Sequence, residues 1–439
     1  MEIHKIIIGL EVHIELKTLS KMFCGCPADH FGKEQNTQTC PICLGLPGAL
    51  PVPNRKAIDW TILLGLALGG EIQKNAQFDR KNYFYPDLPK GFQISQYDQP
   101  FILGGCLTLE NGKKIRIRRV YLEEDTGKLL HKTIDGKKIT LIDFNRSGVP
   151  LVEIVSEPDI NSSDEAKEYL ETLQKTVQSL GISDAEMEKG MMRCEPTVNL
   201  EISEGEKKFY TPLVELKNIN SFRFAKKAID FEVDRQFREF QKTKIEKQKG
   251  NKTTRGWDED KNETVLQRAK EEANDYRYFP EPDIPPIEWD EASIKNYELS
   301  IKGYELPWDK KKRFIQKYGL SEYQAKILIN DKETADYYEK CVKVGGIEPV
   351  EIANIIINKK APEKLSPEKL IDYILCSKPK TQVPDEELDK LIVLLLSEHP
   401  EVIESYKKGK PQALGMIIGL VKKETGIVVS LDKITGRIQ

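Results

Sequence analysis

KIIIGLEVHIELK, Lys5 to Lys17, decides how the first part of the chain folds. Read at period two, one face carries Ile6, Ile8, Leu10, Val12, Ile14 and Leu16, and the other Ile7, Gly9, Glu11, His13 and Glu15. An unbroken aliphatic face beside an ionisable one predicts a β-strand with one side in a core. Gly9 drops a side chain just before the ionisable residues, leaving room for something to approach the backbone. Glu11 and His13 project side by side. They read either as a solvated strand face or as two arms of a cation site awaiting carboxylates from elsewhere.

Two later strand patterns offer such carboxylates. VYLEEDTGKLLH places Glu123, Glu124 and Asp125 in succession, and three adjacent like charges repel unless solvated or bound to a cation. LIDFNRSGVPLVEIVSEPD, Leu141 to Asp159, sets Glu153 among aliphatic residues. A carboxylate in so apolar a strand is costly unless it is paired, for example with Arg146, or metal-bound. Between the opening strand and these acids lies FDRKNYFYPDLPKGFQISQYDQP, Phe78 to Pro100, which mixes Arg80, Lys81 and Lys90 with Tyr83, Phe84, Tyr85, Phe92 and Tyr97. Cations among aromatic faces suit phosphates and stacked bases, and equally a packed aromatic loop.

Directly after the opening strand, Cys24 and Cys26 form a C-x-C pair and Cys40 and Cys43 a C-x-x-C pair, with 13 residues between them. Short knuckles of this kind present four thiolates to one tetrahedral zinc, which is structural because no coordination position is left for water. The intervening polar segment lacks the apolar residues to fold alone, and metal binding would contribute that free energy. His30 sits between the pairs as a substitute ligand. Cys106, Cys194, Cys341 and Cys376 are scattered and read as interior residues.

Helices are expected over Asn54 to Gly70, over DEAKEYLETLQKTVQSLG behind a serine cap at Ser162 or Ser163, and over Ser221 to Phe240. MRCEPTVNLEIS and TPLVELKNIN read as strands. From Phe237 to Arg255, seven Lys and Arg face two Glu, a local +5 that reads as a solvated loop or an RNA contact. Proline-dense DYRYFPEPDIPPIEWD, Asp275 to Asp290, marks a domain boundary, and SKPKTQVPD, Ser377 to Asp385, a second linker. In the tail, Gly415 and Gly419 lie one helical turn apart, which suits close approach of a helix or an RNA backbone. The expected fold is α+β: a mostly antiparallel, β-rich cradle over 1–290, a helical domain over 291–380 and a small helical tail over 381–439.

With 439 residues the chain is too long for one core and suggests about two to four domains. A net charge of −3 gives no global field for nucleic acid, so RNA binding must use local patches. LIVLLL, Leu391 to Leu396, is typical of the longest apolar runs and too short to span a bilayer. MEIHKIIIGLEVH leads straight into the first strand with no signal-peptide pattern, so the expected location is cytoplasmic, where eight cysteines are not a disulfide framework. No Gly-x-x-x-x-Gly-Lys-Ser/Thr loop, Gly-x-Gly-x-x-Gly turn or Gly-x-Ser-x-Gly elbow occurs. Any ATP chemistry would therefore run through metal-bound carboxylates on a sheet.

GLEVHIEL, FDRKNYFYPDLPKGFQISQYDQP, EEDTGK, NRSGVPLVEIVSEPD, ELKNINS and DYRYFPEPDIPP, in this order, resemble the GatB family of the GatCAB tRNA-dependent amidotransferases. The likeness is dense over residues 1 to about 290 and looser beyond, where the chain looks shortened around Pro362 to Asp385. No large insertion separates the two regions, unlike the archaeal GatE relatives. The resemblance implies that ATP phosphorylates the side-chain carboxylate of Glu-tRNA(Gln), Asp-tRNA(Asn) or both, and that ammonia from a partner glutaminase displaces the phosphate. By motif it implies a magnesium site of Glu11, His13, Glu124 and Glu153. Lys81, Tyr83 and Arg146 are the candidates for binding phosphate and substrate. The partners implied are the amidase GatA, the small GatC protein and tRNA, with a hydrophilic tunnel from the amidase opening near the metal. The competing reading is a non-catalytic tRNA-binding scaffold whose metal is structural.

Overall fold

The computed structural model describes residues 1–269, 276–362, 365–377 and 384–438. It divides into two compact units, Met1–Lys310 and Lys311–Gln439. The opening strand, Glu2–Glu15, runs through the middle of an eleven-stranded sheet. It pairs antiparallel with Pro150–Ser156 on one side and Met192–Glu204 on the other. Outward from these lie Lys114–Glu124 and two short strands on one flank, and Val214–Lys217, Thr253–Asp258 and Glu263–Ala269 on the other. Val214–Lys217 and Thr253–Asp258 pair in parallel; the other described pairs of this sheet are antiparallel.

The period-two alternation of the opening strand sets what each face meets. Ile8, Leu10, Val12 and Ile14 are at most 1% exposed. They share a core with Ile58 and Ile62 of helix Arg55–Ala67, Leu170 and Leu173 of helix Ser163–Ser179, and Ala225 and Ile229 of helix Phe222–Thr243. Burying each such aliphatic side chain is worth about 1.5–3 kcal/mol, enough to tolerate polar groups on the opposite face. All three helices start on side-chain caps: Asn54 accepts from the N–H groups of Lys56 and Ala57, Ser162 from Glu165 and Ser221 from Phe224. A second, three-stranded sheet of Asp79–Asn82, Phe92–Ser95 and Phe279–Pro280 presents Ser95 and Lys81 towards the acids of the polar face.

Several expectations need adjustment. An added Cβ at Gly9 would meet Pro158 and Ser156 at 3.9 Å, an ordinary contact, so no close approach explains that glycine. The proline-dense segment ends the β-rich part, as expected, but the first compact unit continues beyond it. Its Phe279–Pro280 and Ile287–Glu288 pair with Asp79–Asn82 and Asn75–Ala76, and Trp289 packs edge-on against Tyr297 of helix Glu291–Ser300. That helix therefore belongs to the first unit, which runs on to Lys310. The second unit is helical, with one apolar cluster around Phe314, Tyr338 and Ile352 and another around Ile392, Ile417 and Val421. Most of the Ser377 to Asp385 linker lies outside the described residues. Added Cβ atoms at Gly415 and Gly419 meet nothing within 4 Å, so neither serves close helix packing. Cys376 is exposed, whereas Cys194 and Cys341 are interior. Among the described residues no helix is long and apolar enough to cross a membrane.

Leu10→Ala, at the centre of the covered face, is expected to destabilise the first unit by about 2–5 kcal/mol in urea unfolding. A loss under about 1 kcal/mol would mean that this face is not core.

Candidate active site

Register assembles the polar cluster. His13 lies opposite Glu153 on one neighbouring strand and opposite Arg193 on the other, and Glu11 lies opposite Glu195. Glu153 in turn lies opposite Tyr121, which puts Glu123 one step along the same face. The carboxylates of Glu123 and Glu153 each stand 3.6 Å from Nδ1 of His13, and both acids are buried. At that separation Nδ1 has no hydrogen-bond partner. Single ligand atoms of His13, Glu123 and Glu153 lie within 4.8 Å of one another, and so do those of Glu11, His13 and Glu195. Such a donor set could hold a divalent cation, and the orphaned imidazole nitrogen faces the two carboxylates.

Glu124, one residue further on, faces the opposite way, because successive strand side chains alternate. Its Oε1 accepts from the Ile94 backbone N–H at 3.0 Å and pairs with Lys90 at 2.5 Å. The two residues line a cavity of about 140 Å³ shared with Arg80, Glu281, Cys24 and Cys43. The structure thus groups His13 with Glu123 and Glu153 and, separately, with Glu11 and Glu195, and sets Glu124 across the sheet from them.

The electrostatics follow from burial against neighbours. Burial alone would lower the His13 imidazole, but the carboxylates of Glu153 and Glu123 raise it to about 9. For Glu123, burial opposes ionisation, yet Lys81, His13 and Ser95 hold it below the usual carboxylate range. Burial pushes Glu153 up; among its neighbours His13 and Lys81 pull it back while Glu123 and Glu11 reinforce the rise. Two acids so close cannot both ionise freely without a cation between them. Lys81 is half-buried on this side; burial opposes its charge, but Glu123, Tyr278 and Glu153 keep its ammonium well above the ordinary range. Its Nζ lies 5.1 Å from the Tyr276 ring centroid and 5.9 Å from that of Tyr83. Tyr83 donates its hydroxyl to Gln93 at 3.2 Å. Arg146 pairs with neither Glu153 nor the cluster: it donates to the carbonyls of Thr126 and Gly127 at 2.9 and 2.8 Å and stands 3.7 Å from Asp125. The aromatic loop divides, with Tyr97 stacked on Tyr278 at 4.3 Å while Phe84 and Tyr85 stay exposed.

The four knuckle cysteines also converge, with one sulfur from each of Cys24, Cys26, Cys40 and Cys43 within 4.8 Å of the others. Cys40 and Cys43 Sγ are 3.9 Å apart. Two sulfurs on one tetrahedral zinc lie about 3.8 Å apart, from Zn–S bonds of about 2.3 Å, so the donor set fits. His30 is engaged elsewhere, facing Glu15 at 3.0 Å.

Residues 6–295 match the GatB/GatE catalytic domain, and residues 327–428 match the GatB domain. The chain belongs to the GatB family. Curated relatives named as the B subunit of aspartyl/glutamyl-tRNA(Asn/Gln) amidotransferase include those of Thermotoga maritima, 41% identical over 95% of both chains, and Persephonella marina, 42% identical over 95% of both. The relative of the same name from Carboxydothermus hydrogenoformans is 40% identical over 97% of this chain and 96% of its own.

Within this GatB-family sheet the sequence marks Glu123 only as one of three successive acids, with Glu124 taken for the ion by motif, and Arg193, Glu195 and Lys217 go unmarked. Arg193 reaches Asp125 at 2.6 Å, and Lys217 bonds Glu195 at 2.9 Å and Glu215 at 3.1 Å. Alternation was the available signal: Tyr121 and Glu123 oppose Val120 and Leu122, and Arg193 and Glu195 oppose Met192 and Cys194. Titrating the chain with Mn2+ and following the free ion by electron paramagnetic resonance separates the two acids. Glu123→Gln is expected to weaken binding at least about tenfold and Glu124→Gln to leave it unchanged. The reverse ranking would place the ion across the sheet.

Proposed function

We propose that this chain is the phosphorylating and amidating member of a tRNA-dependent amidotransferase, acting on Glu-tRNA(Gln), Asp-tRNA(Asn) or both. The observation that carries the reading is the orphaned Nδ1 of His13 set between the carboxylates of Glu123 and Glu153 in a GatB-family chain. A side-chain carboxylate resists ammonia because its oxygen is a poor leaving group. ATP transfers its γ-phosphoryl group to that oxygen and leaves as ADP. Ammonia then attacks the acyl carbon, inorganic phosphate departs and an amide remains. Phosphoryl transfer depends mostly on positioning and charge neutralisation.

His13, Glu123 and Glu153, with Glu11 and Glu195 beside them, are the residues that would hold the divalent ion. When bound it supplies neutralisation of the phosphate oxygens. Magnesium is the ion expected with ATP, although an imidazole in the donor set also suits manganese. Ser95 donates to Glu123 at 2.9 Å and fixes that carboxylate. Lys81 stands on the same side, ready to meet a phosphate oxygen. Arg146 acts indirectly, by bracing the loop after Asp125. The ammonia would come from a partner amidase, GatA, assembled together with the small GatC protein. The convergent cysteines support a structural zinc. Eight free cysteines fit a reducing compartment, the cytoplasm.

Glu153→Gln is expected to lower ATP hydrolysis dependent on mischarged tRNA at least about 100-fold, while glutamine hydrolysis by the assembled complex persists. Unchanged turnover with only a lower melting temperature would favour the scaffold reading. Metal analysis of the purified chain should find about one zinc per chain and none after Cys40→Ser with Cys43→Ser; equal zinc in both would reject the cysteine site.

A further inference from the structure

Lys21 stands just ahead of the C-x-C pair and is fully buried, at 0% exposure. Its Nζ donates to the Gln38 carbonyl at 2.8 Å, to the Phe144 carbonyl at 3.4 Å and to Cys43 Sγ at 3.7 Å. An ammonium has three donors and no acceptor, and three acceptors surround this one. Burying an unpaired charge is strongly unfavourable, so the fold must supply an anion nearby. Among the described residues no carboxylate lies within ion-pairing distance of Lys21. The group that faces it is the Cys43 sulfur.

We propose that Lys21 is the built-in counter-charge of the cysteine cluster and a positioning residue for its metal. The inference rests on the zinc reading above. Four thiolates around Zn2+ carry a net charge of −2, and the Lys21 ammonium, itself without solvent exposure, offsets half of it. The same side chain ties the metal loop to the catalytic sheet. Phe144 follows the hairpin of Lys128–Ile134 and Lys137–Asp143, and further bonds hold the loop there: Gln38 N–H to Asn145 at 2.8 Å, Asn36 N–H to Asp143 at 3.1 Å and Ser147 Oγ to the Cys43 carbonyl at 3.2 Å. An added Cβ at Gly148 would touch Cys43 and the Lys21 side chain at 3.5 Å and Glu124 at 3.9 Å, and Gly148 itself sits at φ +86°. Cys43, Lys21 and the Glu124 wall of the cavity thus all border Gly148.

The test compares Lys21→Met, which fills similar space without charge, and Lys21→Gln, which keeps donors without charge, in the full-length chain. Zinc affinity is read by competition with a chromophoric chelator, and metal-free stability by urea unfolding. Both variants should bind zinc about 10–100-fold more weakly than wild type, while the metal-free form of Lys21→Met is as stable as wild type or more so. These opposite directions are what a counter-charge requires. Parallel losses of zinc affinity and metal-free stability would make Lys21 a packing residue and overturn the proposal. Equal zinc affinity in wild type and both variants would overturn it while leaving the cysteine site intact. Absence of zinc binding by the wild-type chain would instead sink the zinc reading itself.

Discussion

The register of one strand governs the first unit. Glu2–Glu15 is bonded on both edges, so its alternation is imposed on Pro150–Ser156 and Met192–Glu204 together. A slip of one residue would turn Glu11, His13 and Glu15 into the helix-covered core and expose Leu10, Val12 and Ile14. The aliphatic face thereby fixes where the acids stand, on the opposite side of the sheet beside His13 and Lys81. Folding and site construction are one constraint seen from the two sides of a sheet.

The site gathers what each strand alone leaves unsatisfied. Glu153 sits in a strand buried along its whole length. Arg146, the cation nearest in sequence, is committed to the turn around Thr126 and Gly127. His13 approaches from one side, Glu123 from the other, and Lys81 from the strand Asp79–Asn82 of the overlying sheet. Glu124 and Lys90 close a separate cavity behind the same strand, so adjacent acids serve two compartments.

Much of this was legible in the sequence. Period two gave the strand and its two faces; Asn54 and a serine at 162 or 163 gave two helix starts, and apolar spacing a third helix from Ser221. The isolation of Glu153 among aliphatic residues marked it, and the cysteine spacing marked the knuckles. The choice between Glu123 and Glu124 went to Glu124 by motif, although alternation with Leu122 gives Glu124 the parity of the apolar face. Arg193, Glu195 and Lys217 stayed hidden because their place beside His13 and Glu11 depends on long-range register, which no local pattern states. The first unit runs past its prolines for a similar reason. Short edge pairings such as Ile287–Glu288 with Asn75–Ala76 join segments too distant for sequence periodicity to connect.

The most direct measurement is an anomalous-scattering map from crystals of the chain soaked with Mn2+. The expected result is a peak bonded to the His13 imidazole and to the carboxylates of Glu123 and Glu153, with Glu124 still turned to Lys90. A peak held by Glu124, or strong Mn2+ density elsewhere with none at His13, would contradict it.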